Sequence, residues 1–236
     1  MLENPDDLDA ESKLLQFYAR AAGPWGYRDP GIEAVRLEHI LYLVQHHPEA
    51  PVSGSRAAYV FRANGRYANA ADHEAVRGAW MDAVVAHPKD DAVILNAVRF
   101  LAVEDFVDAE EVLHRVMDAD PDNRELAANL GFLYAREIKG SDLIPRGSSP
   151  PGLGRERSRH GMAELEQCSN PVVLAAAGTA LANLAKDFDA IDGTMLDLGE
   201  KFLARARDLA PDDADIQGPM PLIKYFAAAQ NASGRR

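Results

Sequence analysis

The chain has 236 residues, 47% of them hydrophobic, which is enough apolar content for one core or two small ones and excludes a chain that is disordered throughout. Its formal net charge of -12 excludes nucleic acid or an anionic membrane as the main partner, since both are bound through a concentrated basic face; a neutral or basic protein or peptide suits it better. No apolar run reaches the roughly 20 residues of a membrane span. The acidic start Met1-Leu2-Glu3-Asn4-Pro5-Asp6-Asp7 does not read as a signal sequence, so a soluble cytoplasmic protein is expected, or an exported one if a leader has been trimmed. The single Cys168 is compatible with either compartment.

Alanine is abundant and alternating runs of Val, Ile and Thr are missing, so mostly helix is expected. Leu8 to Ala22 reads as a helix with Leu14, Leu15, Tyr18 and Ala19 on one side, broken by Gly23-Pro24-Trp25-Gly26-Tyr27. A second helix, Ile32 to His47, carries Val35, Ile40, Leu43 and Val44 and stops at Pro48. After the linker Pro51-Val52-Ser53-Gly54-Ser55 comes a helix around Arg56 to Ala63. Another runs from Ala71 to Ala86, with Val76, Trp80 and Val84, closed by Pro88. Residues 1–87 would form a divergent helical N-terminal cap. Trp25 and Tyr27 either pin their loop onto the first helix or, with Arg62 and His73, line a pocket between this cap and the helices from Asp90 onward.

From Asp90 the pattern sharpens. Ile94, Ala97, Val98 and Leu101 form one apolar stripe, and Ala109, Val112, Leu113, Val116 and Met117 form the next, separated by the tight connection Glu104-Asp105-Phe106-Val107. Asp120-Pro121-Asp122-Asn123 ends that pair, because the proline ring cannot continue a helix. A new helix then runs from Arg124 to about Ile138. It contains Gly131, which costs about 1 kcal/mol against Ala in a helix interior and therefore marks a close helix crossing.

With Leu130, Gly131 and Tyr134 in one unit, and Ala109, Leu113, Val116 and the closing Pro121 in the unit before, the stretch resembles the tetratricopeptide repeat, a helix-turn-helix of about 34 residues. Pro88 and Pro121 lie 33 residues apart. Leu174, Gly178 and Leu181 resemble a further first helix, and Gly199, Phe202, Leu203 and Ala206, with Pro211 after them, a further second helix. The resemblance implies an all-α fold: antiparallel helix pairs over 88–213, stacked in a short right-handed superhelix, with a C-terminal capping helix and tail over 214–236 after the N-terminal cap. It also implies a concave groove lined by the first helix of each pair. Asn96 and Asn129 match the asparagine that holds the main chain of an extended peptide in that family, and Arg99, Phe132 and Arg136 share those faces. Either asparagine could equally fix the stacking of helix pairs by a buried hydrogen bond.

Residues 139–162 interrupt the pattern. The stretch holds Pro145, Pro150, Pro151 and five glycines, and is expected to be a surface loop. It carries Lys139, Arg146, Arg155, Arg157 and Arg159 against Asp142 and Glu156, a local excess of positive charge that would either dock on the protein itself or meet an acidic partner.

Motifs for chemistry are incomplete. His73-Glu74-Ala75-Val76-Arg77 lacks the second histidine of a zinc helix, and His39 with His46 lacks a third ligand. Asp187, Asp189 and Asp192 recur as in a calcium loop, but Leu198 stands where the bidentate Glu belongs. Cys168 has no basic neighbour in sequence to activate it, and no phosphate loop or dinucleotide fingerprint is present. No catalytic residue, metal or cofactor is therefore expected. The leading expectation is a non-catalytic protein-interaction or scaffold module; a pocket-bearing enzyme or ligand binder, and a structural subunit, are the alternatives.

Overall fold

A computed structural model describes residues 6–21, 30–62, 69–140, 153–184 and 193–218. Among them the secondary structure is entirely helical, with ten α-helices, one 3-10 turn and no strand. The chain divides into two compact units, Met1–Val112 and Leu113–Arg236.

The first unit contains α1 (Leu8–Ala21), α2 (Pro30–His46), a 3-10 turn (Arg56–Ala58), α3 (Ala70–Ala86), α4 (Asp91–Glu104) and the first half of α5 (Phe106–Ala119). Its core is built from Leu15, Ile40, Leu43, Val76, Trp80, Ile94 and Leu101. α4 is buried at nearly every position from Val93 to Val103, so it is the central helix of this unit. The helix expected around Arg56 to Ala63 is only the 3-10 turn, closed by the Tyr59 amide on the Arg56 carbonyl at 3.3 Å; residues 60–62 run on outside any helix. The α4–α5 connection is one residue, Asp105.

The second unit contains the rest of α5, α6 (Arg124–Lys139), α7 (Leu153–Gln167), α8 (Pro171–Leu184), α9 (Gly193–Leu209) and the short α10 (Ala214–Gln217). α6 packs against both α7 and α8, and α8 against α9. Leu126, Leu165, Leu174, Leu181 and Phe202 form the core. The loop expected through Met162 ends sooner, because Leu153 to Met162 belongs to α7. The prolines stop at Pro151, and the Arg, Glu and Ser residues after it tolerate helix once Gly161 and Leu165 are buried against a neighbour. The interior of the expected loop, residues 141–152, lies outside the described residues, as does most of the expected C-terminal cap beyond Gly218.

Helix starts are set by a recurring device. In Pro88-Lys89-Asp90, Pro121-Asp122-Asn123 and Pro211-Asp212-Asp213, the amide of the third residue donates to the carbonyl of the residue before the proline at 3.2 Å in each case. The third side chain then accepts from the first-turn amides of α4, α6 and α10. Asn170 caps α8 in the same way just before Pro171.

Small residues set the crossings of the second unit. A Cβ on Gly131 would collide with the Val173 carbonyl and lie 2.9 Å from the Ala177 nitrogen; Gly178 and Gly199 face each other so closely that a Cβ on either would sit 2.7 to 2.8 Å from the other's carbonyl oxygen. We therefore expect Gly131→Ala to destabilise the protein by roughly 1–3 kcal/mol through overpacking, although Ala is the better helix former. Gly78→Ala, in α3 where a Cβ meets nothing within 4 Å, is expected to stabilise it by up to about 1 kcal/mol. Thermal melts of the two variants check the pair; shifts of the same sign would contradict the close crossing.

Candidate functional site

Polar residues gather in three places. The first is an irregular segment of the first unit, residues 48–62, in which Pro48, Ala50, Val52, Ser53, Gly54, Ala58 and Val60 are buried although most of it is not helical. Buried carbonyls need donors, and side chains from three helices supply them. Asn96 of α4, 2% exposed, donates from its carboxamide nitrogen to the Pro48 and Ala50 carbonyls at 2.8 and 3.0 Å. Its oxygen accepts from Arg99 at 3.0 Å, and Gly54 lies so near that any Cβ there would strike it. Arg36 of α2 donates to the Ala57 and Tyr59 carbonyls at 2.8 and 2.7 Å, and His73 of α3 to the Val60 carbonyl at 2.6 Å.

The second place grows from His73. Its Nε2 donates to Asp105 at 2.7 Å while Nδ1 is held by Val60; both partners are pure acceptors, so the ring carries both protons. The ring stacks on Phe100 at 5.2 Å. Asp105 also accepts from Arg62 at 2.5 Å, Arg62 reaches Glu74 at 2.7 Å, the Arg62 amide donates to Glu104, and Arg77 bonds Asp108 at 2.5 Å. Burial alone would lower the His73 pKa, but the bond to Asp105, the Val60 carbonyl and the Asp105 charge outweigh it and hold the ring above the usual histidine range. Burial would likewise raise Asp105; the bond from His73 and the charges of His73, Arg62 and Arg77 hold it below the usual carboxylate range. Arg62 and His73 thus meet on one carboxylate, and neither ring nitrogen of His73 is left for a substrate. Trp25 and Tyr27 lie outside the described residues.

The third place is in the second unit. α6 is buried almost all round, yet Glu125, Phe132 and Arg136 stay half-buried in a row, with Asn129 at 8% exposure between them. Asn129 donates to the Glu125 carbonyl of its own helix at 2.8 Å, so its carboxamide is not used as that of Asn96 is. On α8, Val172, Thr179 and Asn183 are half-buried at the same offsets from Gly178 as Glu125, Phe132 and Arg136 are from Gly131. Two neighbouring helices therefore leave equivalent strips open.

Two surface hollows lie among the described residues. One, about 610 Å³, is made by the six consecutive residues His87 to Ala92 at a turn, so it has no converging walls. The other, between α2 and α3 beside Pro48 and Ala83, holds about 180 Å³, below the roughly 300 Å³ of ordinary ligand sites. No protein-family model, curated protein or solved structure matches the chain.

Sequence reasoning missed Arg36, Glu104 and Asp105. Glu104 and Asp105 were readable as the two acids in a tight helix connection; Arg36, lying in a predicted helix among Val35 and Ile40, gave no signal beyond a charge near an apolar stripe.

The His73 network has a pH signature. A raised histidine pKa means its contribution is complete below the unfolded value of about 6.5 and is lost as pH rises through the higher folded value; the lowered Asp105 contributes above about 3.8 and is lost as pH falls through its folded value. We expect the melting temperature to fall as pH rises above about 6.5, and the fall to be smaller in His73→Gln. Equal slopes in both proteins would remove His73 as the cause.

Proposed function

We propose that the chain is a non-catalytic protein-interaction module, tetratricopeptide-like in its helix pairing, which receives a protein or peptide along the open strips of α6 and α8. The observation that carries this reading is the matched exposure of Glu125, Phe132 and Arg136 with Val172, Thr179 and Asn183 on two helices whose central turns are mostly buried. An aromatic and an arginine left half-open one turn apart on such a helix have the composition of a binding anchor. The pairing of α6 with α7 and α8, and of α8 with α9, is what a stack of helix hairpins requires.

Asn96 supports the chemistry by example. In the first unit its carboxamide holds the extended main chain of Pro48 to Ala50, so an asparagine at this position of the repeat can read main chain, and there it reads the protein's own. Asn129, the corresponding residue 33 positions later, would turn outward to a partner. The net charge of -12 favours a neutral or basic partner.

A photoreactive amino acid in place of Phe132 or Thr179 is expected to cross-link partner proteins that the same group in place of the exposed Val85 does not. Combining Phe132→Ala with Arg136→Glu should weaken capture of those proteins by at least about tenfold, or 1.4 kcal/mol, with an unchanged melt. Cross-links that persist in the double variant would refute the strip as the binding surface.

A further inference from the structure

α7 carries its charges the wrong way round for a helix. Arg155, Arg157 and Arg159 outnumber Glu156 in its first two turns, where the helix dipole is positive, and Glu164 and Glu166 stand in its last turn, where it is negative. The acidic end is compensated. Arg205 of α9 donates to the carbonyls of Leu165, Glu166 and Cys168 at 3.0, 2.8 and 2.6 Å, and Lys201 pairs with Glu166 at 3.3 Å. The outer side of the basic end has no such help among the described residues. Arg155 and Arg159 are exposed, one turn apart on the same side, and make no hydrogen bond or ion pair there; exposed Glu156 beside them forms no ion pair there either. Gly161 and Leu165 are the buried side of the helix, with Gly161 against the Tyr134 carbonyl and Glu137, so by the helical repeat Arg155 and Arg159 face away from α6. A like-charged pair set against the dipole lowers helix stability, Glu156 offsets it in part without pairing to either arginine, and a local rule broken in this way points to use.

We infer that the outer face of the first two turns of α7 docks an extended acidic peptide of a partner protein. Guanidinium groups, with their planar fork of donors, take carboxylates in pairs of hydrogen bonds. Four residues of helix rise about 6 Å, and carboxylates on alternate residues of an extended chain lie about 6.6 Å apart, so Arg155 and Arg159 match acids at every second position. Two turns of helix in a chain of net charge -12 do not make the long basic track that a polyphosphate needs. The patch is opposite in sign to the net charge of the chain, which adds an acidic contact to the neutral or basic partner proposed for the α6 and α8 strips, and it stands on residues outside those strips.

The test is fluorescence anisotropy of a labelled decapeptide of alternating Glu and Ser, titrated with the full chain at low ionic strength. Binding should weaken with added salt. It should fall by at least about tenfold in Arg155→Glu, Arg159→Glu, and stay within about twofold in a Lys89→Glu, Arg56→Glu control and in Phe132→Ala. If the charge reversal disturbs the helical circular dichroism, Arg155→Gln, Arg159→Gln carries the same comparison. Absence of binding to the wild type, equal loss in the control variants, or equally tight binding of a ten-nucleotide oligothymidylate through the same arginines would each overturn the proposal. Loss of partner cross-linking at Phe132 and Thr179 with peptide binding intact would count against the groove reading alone.

Discussion

Main-chain carbonyls that are buried outside a helix must be given donors, and in the first unit this requirement shapes everything around residues 48–62. The segment buries Ala50, Val52, Ala58 and Val60 in turns and one short 3-10 turn, so that the carbonyls of Pro48, Ala57, Tyr59 and Val60 are met by Asn96, Arg36 and His73, and Asn96 gives the Ala50 carbonyl a second donor besides the Ser53 amide. That demand explains why an asparagine, an arginine and a histidine sit in the core of a small helical unit, where each would otherwise cost several kcal/mol. It also explains the charges behind them: His73 carries two protons because both its neighbours accept, and Asp105 then needs His73 and Arg62 to stay ionised in a buried place.

The second unit meets a different constraint with different residues. Its helices approach through Gly131, Gly178 and Gly199, where backbone meets backbone and few polar side chains are buried. Close crossings bury much of α6 and α8, and Phe132 and Arg136 are among the positions left half-buried.

Much of this was legible in the chain. Apolar periodicity placed α1, α2, α3 and α6 within one or two residues of their ends and found the stripes of α4 and α5, and Gly131 was readable as a crossing because a helix interior tolerates glycine only for a reason. The start of α7 was not legible, since Pro150, Pro151 and the arginines read as loop while the burial of Gly161 and Leu165 that stabilises the helix is a tertiary effect. Neither was the work of Asn96. Its partners lie 46 and 48 residues away, and no local pattern reports a hydrogen bond to the main chain of a distant segment. Arg99 shares with Asn96 the face expected to line a groove, and its guanidinium instead bonds the asparagine's oxygen. Trp25 and Tyr27 lie outside the described residues.

Everything built on the clamps of Asn96, Arg36 and His73 requires that residues 48–62 belong to the folded core of the first unit. Native-state hydrogen exchange reads this through the amides of Ser53, Ala58 and Arg62, which donate to the Ala50 carbonyl, the Ser55 carbonyl and the Glu104 carboxylate. The side-chain clamps predict that these amides are protected nearly as strongly as those of α2 and α4 and lose much of that protection in Asn96→Ala. Exchange of all three at the rate of an open surface loop, in the wild-type protein, would contradict it.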